Sequence, residues 1–386
     1  MRRAGRYLLG LFIIIIMLAA CQQGPKQGQP GGEAPVVVSV WYSLEGKQEQ
    51  ALLAQFEQIN KKREVLVKGI KIPAKDFVRK VWALQAGGQG PEIFIAEGDI
   101  LAALYEQGAI SPVLADSSQV YPSLLAGFTY NRQVFALPWL TDVPLLYYRK
   151  DIVSAPPVDL NELGLRQSIA VSSQDFLLFS PWWKAEGGIL CQGKLPALNV
   201  KANEDFLLKL QTLKTDGKIR EDKQAVALFK SGEATYLLAW TSDSINLNQG
   251  QGNWGCVSFS RLFGSQANAL LAKTIGIANS SIKTSPALED AIRLVEEELL
   301  QTEVEAAAHK TTGYMPANVN FYYQAEDGTL IKEAALTIEN SWSLEGNALE
   351  WKLAPIFRQA WQNIADRTEI SKQLATAQED ALKIGK

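Results

Sequence analysis

The stretch Ala136–Asp151, which reads ALPWLTDVPLLYYRKD, constrains the fold more than any other part of the chain. Its short apolar run, Val143–Tyr148, is rich in Val, Leu and Tyr, a composition that predicts a buried strand more than a helix. Pro138 and Pro144 exclude one regular central strand across the whole stretch, because proline cannot donate a ladder hydrogen bond. The sequence therefore predicts an extended entry, a bend near Asp142 and a departing strand, as a connection between two lobes requires.

The length and the charge of the chain limit its organisation and its partners. With 386 residues, the chain exceeds what one hydrophobic core usually supports, so we expect two lobes. The net charge is −3 and the sequence has no basic stripe with interleaved aromatic residues, which argues against nucleic acid as a partner. The 10 tryptophans suit a core, and an aromatic-lined cleft for a sugar would also use them.

The first 35 residues predict export and membrane anchoring. Three arginines precede the apolar segment Leu8–Met17, and Leu18-Ala19-Ala20 then lead to Cys21. This order predicts a secretory signal over residues 1–20, and its apolar part is short for a membrane span. Small residues directly before Cys21 resemble a bacterial lipobox, which implies a lipidated cysteine that anchors the chain. A plain secretory signal or an uncleaved anchor stays open, and the Gly-, Pro- and Gln-rich residues 21–35 predict a disordered tether.

Cysteine and histidine are too sparse for most catalytic or metal chemistry. Once Cys21 is lipidated, Cys191 and Cys256 remain, and outside the cytoplasm they can form one disulfide or stay as two buried thiols. The sequence leaves both alternatives open. A single histidine, His309, and the lack of a C-x-x-C motif exclude most zinc sites and any Ser-His-Asp or Cys-His catalysis. No metal and no cofactor is expected.

Strand and helix patterns alternate from Val36 onward, which predicts an α/β lobe with a mostly parallel sheet. Ligands of such sheets lie outside the carboxyl ends of the strands. Three polar or aromatic stretches follow predicted strands, and they should meet at that edge although they are far apart in sequence. They supply the candidate ligand-binding residues Trp41, Tyr42, Ser43, Glu45, Glu97, Asp99, Trp139 and Asp142.

Five motifs occur in an order that is similar to one known family. They are VVVSVWYS from Val36, GPEIFIAEGDILAALYEQGAISPVL from Gly90, ALP followed by LYYRKD from Ala136, ALFKSGEATYLLAW from Ala227, and TGYMPA from Thr312. Across roughly residues 36–385, the order and spacing resemble the extracellular solute-binding proteins of ABC importers, of the maltose-binding type. Two departures occur. RKDI stands where the family has NKDL, and the usual Gly-x-Trp is displaced, so that Trp240 is followed by Thr-Ser.

The resemblance implies a periplasmic-binding-protein-like α/β fold with two lobes, mostly parallel sheets flanked by helices, and a hinge of three crossovers. It places the first lobe at residues 36–142 and 270–314, and the second at 143–269 and 315–386. It also adds ligand-binding candidates from later in the chain, namely Asp175, Trp182, Trp240 and Tyr314. Asp175 directly precedes a predicted helix, whose backbone amides stabilise a carboxylate.

The acids at the predicted cleft allow two kinds of chemistry. Paired carboxylates could hydrolyse a glycoside, or they could accept hydrogen bonds from sugar hydroxyls without reaction. The resemblance favours binding, and it implies a monomeric, lipid-anchored, extracytoplasmic component of an ABC importer that is not an enzyme. Its lobes would close on a small solute, most simply a mono- or oligosaccharide, and deliver it to the permease. A secreted carbohydrate-cleaving enzyme, or the same fold binding a polyamine or another non-sugar solute, stays open.

Overall fold

The computed structural model describes residues 35–384 except residues 63, 86, 114–115, 158–167, 174, 248–252, 265–268, 270–272, 283 and 342–347. The predicted signal, the lipidation site Cys21 and the tether up to residue 34 therefore lie outside the described residues. Among the helices within those limits, none has the length and the apolar character that crossing a membrane requires.

The strands in this part of the chain are short, and most alternate with helices. In chain order they are β1 Val36–Tyr42, β2 Val65–Lys71, β3 Ile93–Glu97, β4 Ile110–Ser111, β5 Thr129–Tyr130, β6 Gln133–Val134, β7 Leu137–Thr141, β8 Pro144–Arg149, β9 Ile169–Val171, β10 Cys191–Gln192, β11 Leu195–Pro196, β12 Ile219–Glu221, β13 Tyr236–Trp240, β14 Trp254–Val257, β15 Thr274–Ser280 and β16 Met315–Pro316.

The α-helices range from one turn to about five turns. In chain order they are α1 Gly46–Lys62, α2 Ala74–Gln85, α3 Gly98–Glu106, α4 Pro122–Ala126, α5 Phe176–Ala185, α6 Lys201–Thr215, α7 Ala225–Ser231, α8 Ser244–Leu247, α9 Phe259–Phe263, α10 Pro286–Leu299, α11 Thr302–Thr312, α12 Leu330–Glu339, α13 Ala348–Asn363 and α14 Ile370–Ile384. Short 3₁₀ helices occur at Thr241–Asp243, Val319–Tyr322 and Arg367–Glu369.

The first sheet has the strand order β16-β7-β15-β3-β1-β2, with β4 also paired to β15. β1 runs parallel to β2 and β3, whereas β15 runs antiparallel to β3 and β7. The β-branched sequence of β1 suits an interior strand, and Val38 and Val40 are fully buried in it. Helix α1 covers this face with Leu52, Phe56 and Ile59, which recur at helical spacing and share one core cluster with those valines.

The second sheet has the strand order β12-β9-β13-β8-β14. β9 runs parallel to β12 and β13, whereas β8 runs antiparallel to β13 and β14. Leu145 and Tyr147 of β8 pack into one core cluster, and Leu146 and Tyr148 pack into another. Successive side chains of a strand point to opposite faces, so β8 is buried on both. This is why the run Val143–Tyr148 is continuously apolar.

Both sheets are mixed, although mostly parallel sheets were expected; the α/β fold with two sheets agrees with the expectation. Parallel neighbours require a crossover connection, usually a helix. β8 instead follows β7 directly after the bend at Asp142 and Val143, and β15 arrives from the second sheet. Neither strand is therefore built by a β-helix-β unit, and both run antiparallel to their neighbours.

The chain passes between the sheets at three crossovers. The first lies between β7 and β8, the second between β14 and β15, and the third follows β16. Met315 and Pro316 pair with Thr141 and Leu140 of the first sheet, whereas the sequence had assigned them to the second lobe. The third crossover therefore begins after Pro316, and the remaining lobe limits stay predictions.

Cys191 and Cys256 are not joined by a disulfide bond. Cys256 is buried in β14, where it pairs with Tyr147 of β8. Cys191 lies in the separate hairpin of β10 and β11, and its thiol donates to Glu350 Oε1 at 2.8 Å. The two cysteines thus belong to different elements, which leaves the two-thiol alternative.

Candidate functional site

Asp142 lies at the first crossover, where the sequence predicted a bend. Its side chain is 2% exposed. Oδ1 accepts hydrogen bonds from Thr241 Oγ1 at 2.8 Å and from the backbone amide of Ser242 at 3.0 Å, and Oδ2 accepts from Ser242 Oγ at 2.7 Å. Its backbone amide donates to the carbonyl of Lys273 at 3.1 Å. Asp142 therefore links the first crossover to the second and to the end of β13, and direct ligand contact by Asp142 stays a prediction.

Burial dominates the electrostatics of Asp142. It raises the pKa of this carboxyl to about 6, while the nearby Lys273 ammonium and the hydrogen bonds from Ser242 and Thr241 lower it. A buried carboxylate is poorly solvated, and these partners compensate only part of that loss. The carboxyl of Asp142 thus changes its charge close to neutral pH.

Glu97 and Asp99 lie where β3 passes into α3. Glu97 occupies the N-cap position, but its side chain makes no capping hydrogen bond. It is exposed to solvent, yet burial by surrounding protein atoms and the charge of Asp99 raise its pKa, against the opposing charges of Lys273 and Arg358. A side chain that water reaches while protein surrounds it lies in a concave surface. Since Arg358 is on α13, which packs on the second sheet, that surface is a cleft between the lobes.

Tyr314 faces the same cleft from the short connection between α11 and β16. It is largely buried, and burial together with the charges of Asp142 and Glu97 raises its pKa. Gln48 of α1 hydrogen-bonds to its side chain, which lowers that pKa in part. The preceding residue, Gly313, has a φ of +73°, and a Cβ atom there would lie 2.7 Å from the Cα of Ser242. The connection between α11 and β16 therefore contacts the end of β13 directly.

Most of the predicted tryptophans belong to hydrophobic cores. Trp139 and Trp182 are buried in different clusters, and Trp41 is 9% exposed in a third. Trp240, at the end of β13, is also buried, in the same cluster as Trp182, and the Lys273 ammonium lies 4.0 Å from its ring centroid. This cation–π contact occupies one face of the indole ring. The indole nitrogen of Trp240 has no hydrogen-bond partner among the described residues.

Residues at the end of β1 are held by their own lobe. The hydroxyl of Tyr42 donates to Glu49 at 3.1 Å, which together with burial raises the pKa of Tyr42 to about 12. The backbone amide of Ser43 donates to the carbonyl of Ile95 at 3.1 Å. Glu45, just before α1, is exposed. Among the predicted ligand-binding residues at the end of β1, only Glu45 has a solvent-exposed side chain.

Asp175 confirms its expected place at a helix N-terminus. Its Oδ1 accepts from the backbone amide of Leu177 in the first turn of α5 at 3.1 Å. Its Oδ2 accepts from Arg358 Nη2 at 2.6 Å. The ion pair with Asp175 orients the guanidinium of Arg358, whose charge lowers the pKa of Glu97. Asp175 therefore affects the cleft indirectly, through Arg358.

A cavity of about 540 Å³ lies at the carboxyl ends of β9 and β12, with Ser172, Ser173 and Lys223 in its lining. Ser172 Oγ donates to Asp243 Oδ2 at 2.8 Å, and the backbone amide of Trp240 donates to the same oxygen at 3.1 Å. These bonds join the cavity to the end of β13. The polar edge of the second sheet thus continues beyond Trp240.

The sequence missed several cleft residues. Lys273, Arg358 and Gln48 were not among the predicted ligand-binding residues. Only the folded chain brings Lys273 and Arg358 beside Glu97, and Gln48 beside Tyr314. Ser242 and Asp243 directly follow β13, so the rule that ligands lie beyond strand ends could have found them. In the described part of the chain, no group of three or more His, Cys, Asp or Glu side chains could hold a metal ion.

The sequence of this chain matches a known family and a characterised relative. A sequence model of the family described as bacterial extracellular solute-binding protein matches residues 51–336. The maltodextrin-binding protein MdxE of Bacillus subtilis (strain 168) is 23% identical over 165 residues, which are 42% of this chain and 38% of that relative's own length. These matches agree with the resemblance noted in the motifs.

Two solved structures share the fold over nearly the whole chain. The maltose/maltodextrin-binding domain MalE from Bdellovibrio bacteriovorus, bound to maltotriose, has a TM-score of 0.70 at 19% identity and covers 90% of this chain and 100% of its own. The GacH receptor of Streptomyces glaucescens, solved unliganded and with acarbose, has a TM-score of 0.72 at 18% identity and covers 91% and 99%. The two-lobed binding-protein fold expected from the sequence is confirmed.

Proposed function

This chain belongs to the bacterial extracellular solute-binding proteins, and from that premise we propose that it captures a mono- or oligosaccharide in the cleft between its two sheets. The observation that carries the proposal is that Glu97 lies close to charged and polar groups from distant elements. The charge of Arg358 lowers the pKa of Glu97, and the charge of Glu97 raises the pKa of Tyr314. Polar side chains from both lobes that converge on one concave surface are what a closing binding protein needs.

The relatives support a sugar as the solute. MdxE is named for maltodextrin, the Bdellovibrio protein is bound to maltotriose, and the Streptomyces receptor is described in complex with acarbose. All three ligand names are those of oligosaccharides or their analogues. An oligosaccharide also suits the polar edge that extends past Trp240 toward Ser172.

The cleft offers both donors and acceptors to sugar hydroxyls. Glu97 and Asp99 are exposed acceptors, whereas Arg358 and Lys273 donate, and each sugar hydroxyl can do both. A mixed set of this kind favours a ligand with many hydroxyls over a small anion, which would be repelled by the two carboxylates. It also favours reversible binding, because hydrogen bonds can form and break without chemistry.

The family places the folded body outside the cytoplasm. We further propose that the lipid on Cys21 anchors it to the membrane, that the closed form delivers the sugar to the permease of an ABC importer, and that the sugar leaves unaltered. The signal-like residues 1–20 and the tether-like residues 21–35 support the anchor.

A thermal-unfolding screen tests the sugar. Maltose, maltotriose and acarbose should each be compared with putrescine and sulfate, because a ligand that binds only the folded state raises its melting temperature by mass action. We expect stabilisation by at least one sugar, and the sugar recovered afterwards should be intact by chromatography. No stabilisation by any of the three sugars, with stabilisation by sulfate instead, would reject the sugar, and cleavage of maltotriose that is lost in Glu97→Gln would favour a hydrolase.

A further inference from the structure

A second cavity lies at the corner between α10 and α11, next to the start of the third crossover. Its volume is about 290 Å³, and three carboxylates line it, those of Asp116, Glu297 and Glu305. It shares no lining residue with the cleft around Glu97 and Tyr314. The sugar-binding proposal therefore leaves this cavity without a role.

Glu305 is the unusual member of the lining. Its side chain is fully buried, and its Oε2 accepts a hydrogen bond from the backbone amide of Asn318 at 2.8 Å. Its Oε1 has no hydrogen-bond partner among the described residues. Burial raises the pKa of Glu305 well above its ordinary range, and the backbone amides of Asn318 and Ala317 lower it only in part. A buried carboxyl oxygen without a partner is destabilising, so a cationic donor supplied from the cavity would both stabilise the ionised form and give Oε1 a hydrogen bond.

The acidic side chains that line the cavity favour a positively charged hydrogen-bond donor. Asp116 and Glu297 are exposed at the cavity, and neither they nor Glu305 form an ion pair with any described residue. Hydrogen bonds from Ser118 lower the pKa of Asp116, which keeps it ionised. The side-chain amide of Asn318 already donates to the carbonyl of Leu300 at 3.0 Å. The cavity thus presents acceptors and negative charge.

The geometry of the acids and the apolar part of the lining further restrict the chemical class of ligand that this cavity can bind. A divalent metal ion needs several converging ligands, and no group of three acids, histidines or cysteines in the described part of the chain has that geometry. Val120 and Leu300 supply apolar surface beside the acids. We propose that this cavity binds a small primary alkylammonium ion, with its N–H donating to Glu305 Oε1 and its alkyl chain against Val120 and Leu300.

Saturation-transfer NMR on the purified protein with n-butylammonium chloride tests this site. We expect a saturable signal from the butyl protons, and a much weaker one from tetramethylammonium chloride, which has the same charge but no N–H. Glu305→Gln should weaken binding by about tenfold or more, the loss expected for one charge-assisted hydrogen bond. The glutamine keeps an acceptor for the amide of Asn318, and thermal unfolding checks that the variant folds.

Two further variants keep the test decisive. Glu303→Gln removes an exposed carboxylate from the same helix outside the cavity and should leave butylammonium binding unchanged. Glu297→Gln removes an exposed carboxylate of the lining, so it should weaken binding several-fold even if Glu305→Gln does not fold. The proposal is overturned if no saturable binding occurs, if tetramethylammonium binds equally well, or if binding survives Glu305→Gln but not Glu97→Gln, which would place the amine in the cleft.

Discussion

The carboxylate of Asp142 accepts hydrogen bonds from both the backbone amide and the hydroxyl of Ser242, at 3.0 Å and 2.7 Å, across 100 residues of sequence. Ser242 follows β13 of the second sheet, and Asp142 follows β7 of the first. Gly313 approaches the same serine from the connection between α11 and β16. Ser242 of the second lobe thus meets both the first crossover and the connection that leads into β16.

Asp142→Ala should destabilise the protein in the absence of any sugar. The Ser242 amide and the Thr241 hydroxyl would lose a buried acceptor, so we expect the free energy of unfolding to fall by about 2–4 kcal/mol. Urea unfolding measures the change. Asp99→Ala, which removes an exposed carboxylate nearby, should stay within about 0.5 kcal/mol of the wild type. Unchanged stability together with weaker maltotriose binding would make Asp142 a direct ligand contact instead.

Asp142 should also make stability depend on pH in a recognisable window. Its pKa is raised to about 6, mainly by burial, so the folded protein holds this proton more tightly than the unfolded chain. The stability from this group is therefore fully present below about pH 4 and is lost as pH rises through about 6.

The variant Asp142→Asn isolates that contribution, because it cannot titrate. The free energy of unfolding of the wild type minus that of the variant should fall by about 1–3 kcal/mol between about pH 4 and about pH 7. Urea unfolding of both proteins across this range gives the difference, in which the other titrating groups largely cancel. A difference that stays level would show that burial does not shift this pKa.

Glu97→Gln should weaken sugar binding and leave folding intact. Its carboxylate is exposed in the cleft and caps nothing, so the uncomplexed protein loses no internal hydrogen bond. Losing one charge-assisted hydrogen bond to a hydroxyl should raise the dissociation constant about ten- to a hundredfold. Calorimetric titration with the sugar found in the screen measures it, and Glu303→Gln is the control. Equal affinities for wild type and Glu97→Gln would remove this residue from the site.

Gly313→Ala and Gly328→Ala separate backbone strain from a clash between the lobes. Both glycines have positive φ, +73° and +75°, but a Cβ at Gly313 would lie 2.7 Å from the Cα of Ser242, whereas nothing lies within 4 Å of one at Gly328. The Gly328 variant should lose about 1–2 kcal/mol of stability from the left-handed conformation alone. The Gly313 variant should lose clearly more and bind sugar less tightly. Equal losses of stability for the two variants in urea unfolding would mean that the backbone around Gly313 moves to accommodate the added methyl group at no further cost.

Cys21→Ser tests the proposed anchor. The variant should either leave the membrane or accumulate as an unprocessed precursor, because serine cannot take a thioether lipid. Fractionation of cells followed by gel migration distinguishes the outcomes. A variant that fractionates and migrates as the wild type does would reject lipidation.

Local patterns predicted the features that depend on neighbouring residues. The apolar run of Val143–Tyr148 is a strand buried on both faces, the bend falls at Asp142, and Asp175 caps α5. Each of these follows from proline, from side-chain alternation or from helix capping, which act over a few residues. The same rule of strand ends placed Glu97 at the cleft.

Tertiary packing decided what local patterns could not. Trp139 and Trp240 have the same side chain, lie near a crossover and are both enclosed in a core, yet the second also meets the Lys273 ammonium. An indole ring packs equally well against apolar side chains and against an ammonium group. The residue type alone therefore does not tell which neighbours a given tryptophan has. Lys273 and Arg358 became cleft residues only through contacts across the fold, which no motif records.

The strand order of the two sheets also determines when each can be completed during synthesis. All strands of the second sheet come from residues 144–257, one continuous stretch. The first sheet begins earlier, at β1, but needs β15 between β3 and β7, and β16 beside β7. Its early strands must therefore wait, with unpaired edges, until residue 316 has emerged. A chain that emerges in order thus begins its first sheet before the second but can finish it only afterwards, and the helices α13 and α14, which complete the core beside the second sheet, emerge last.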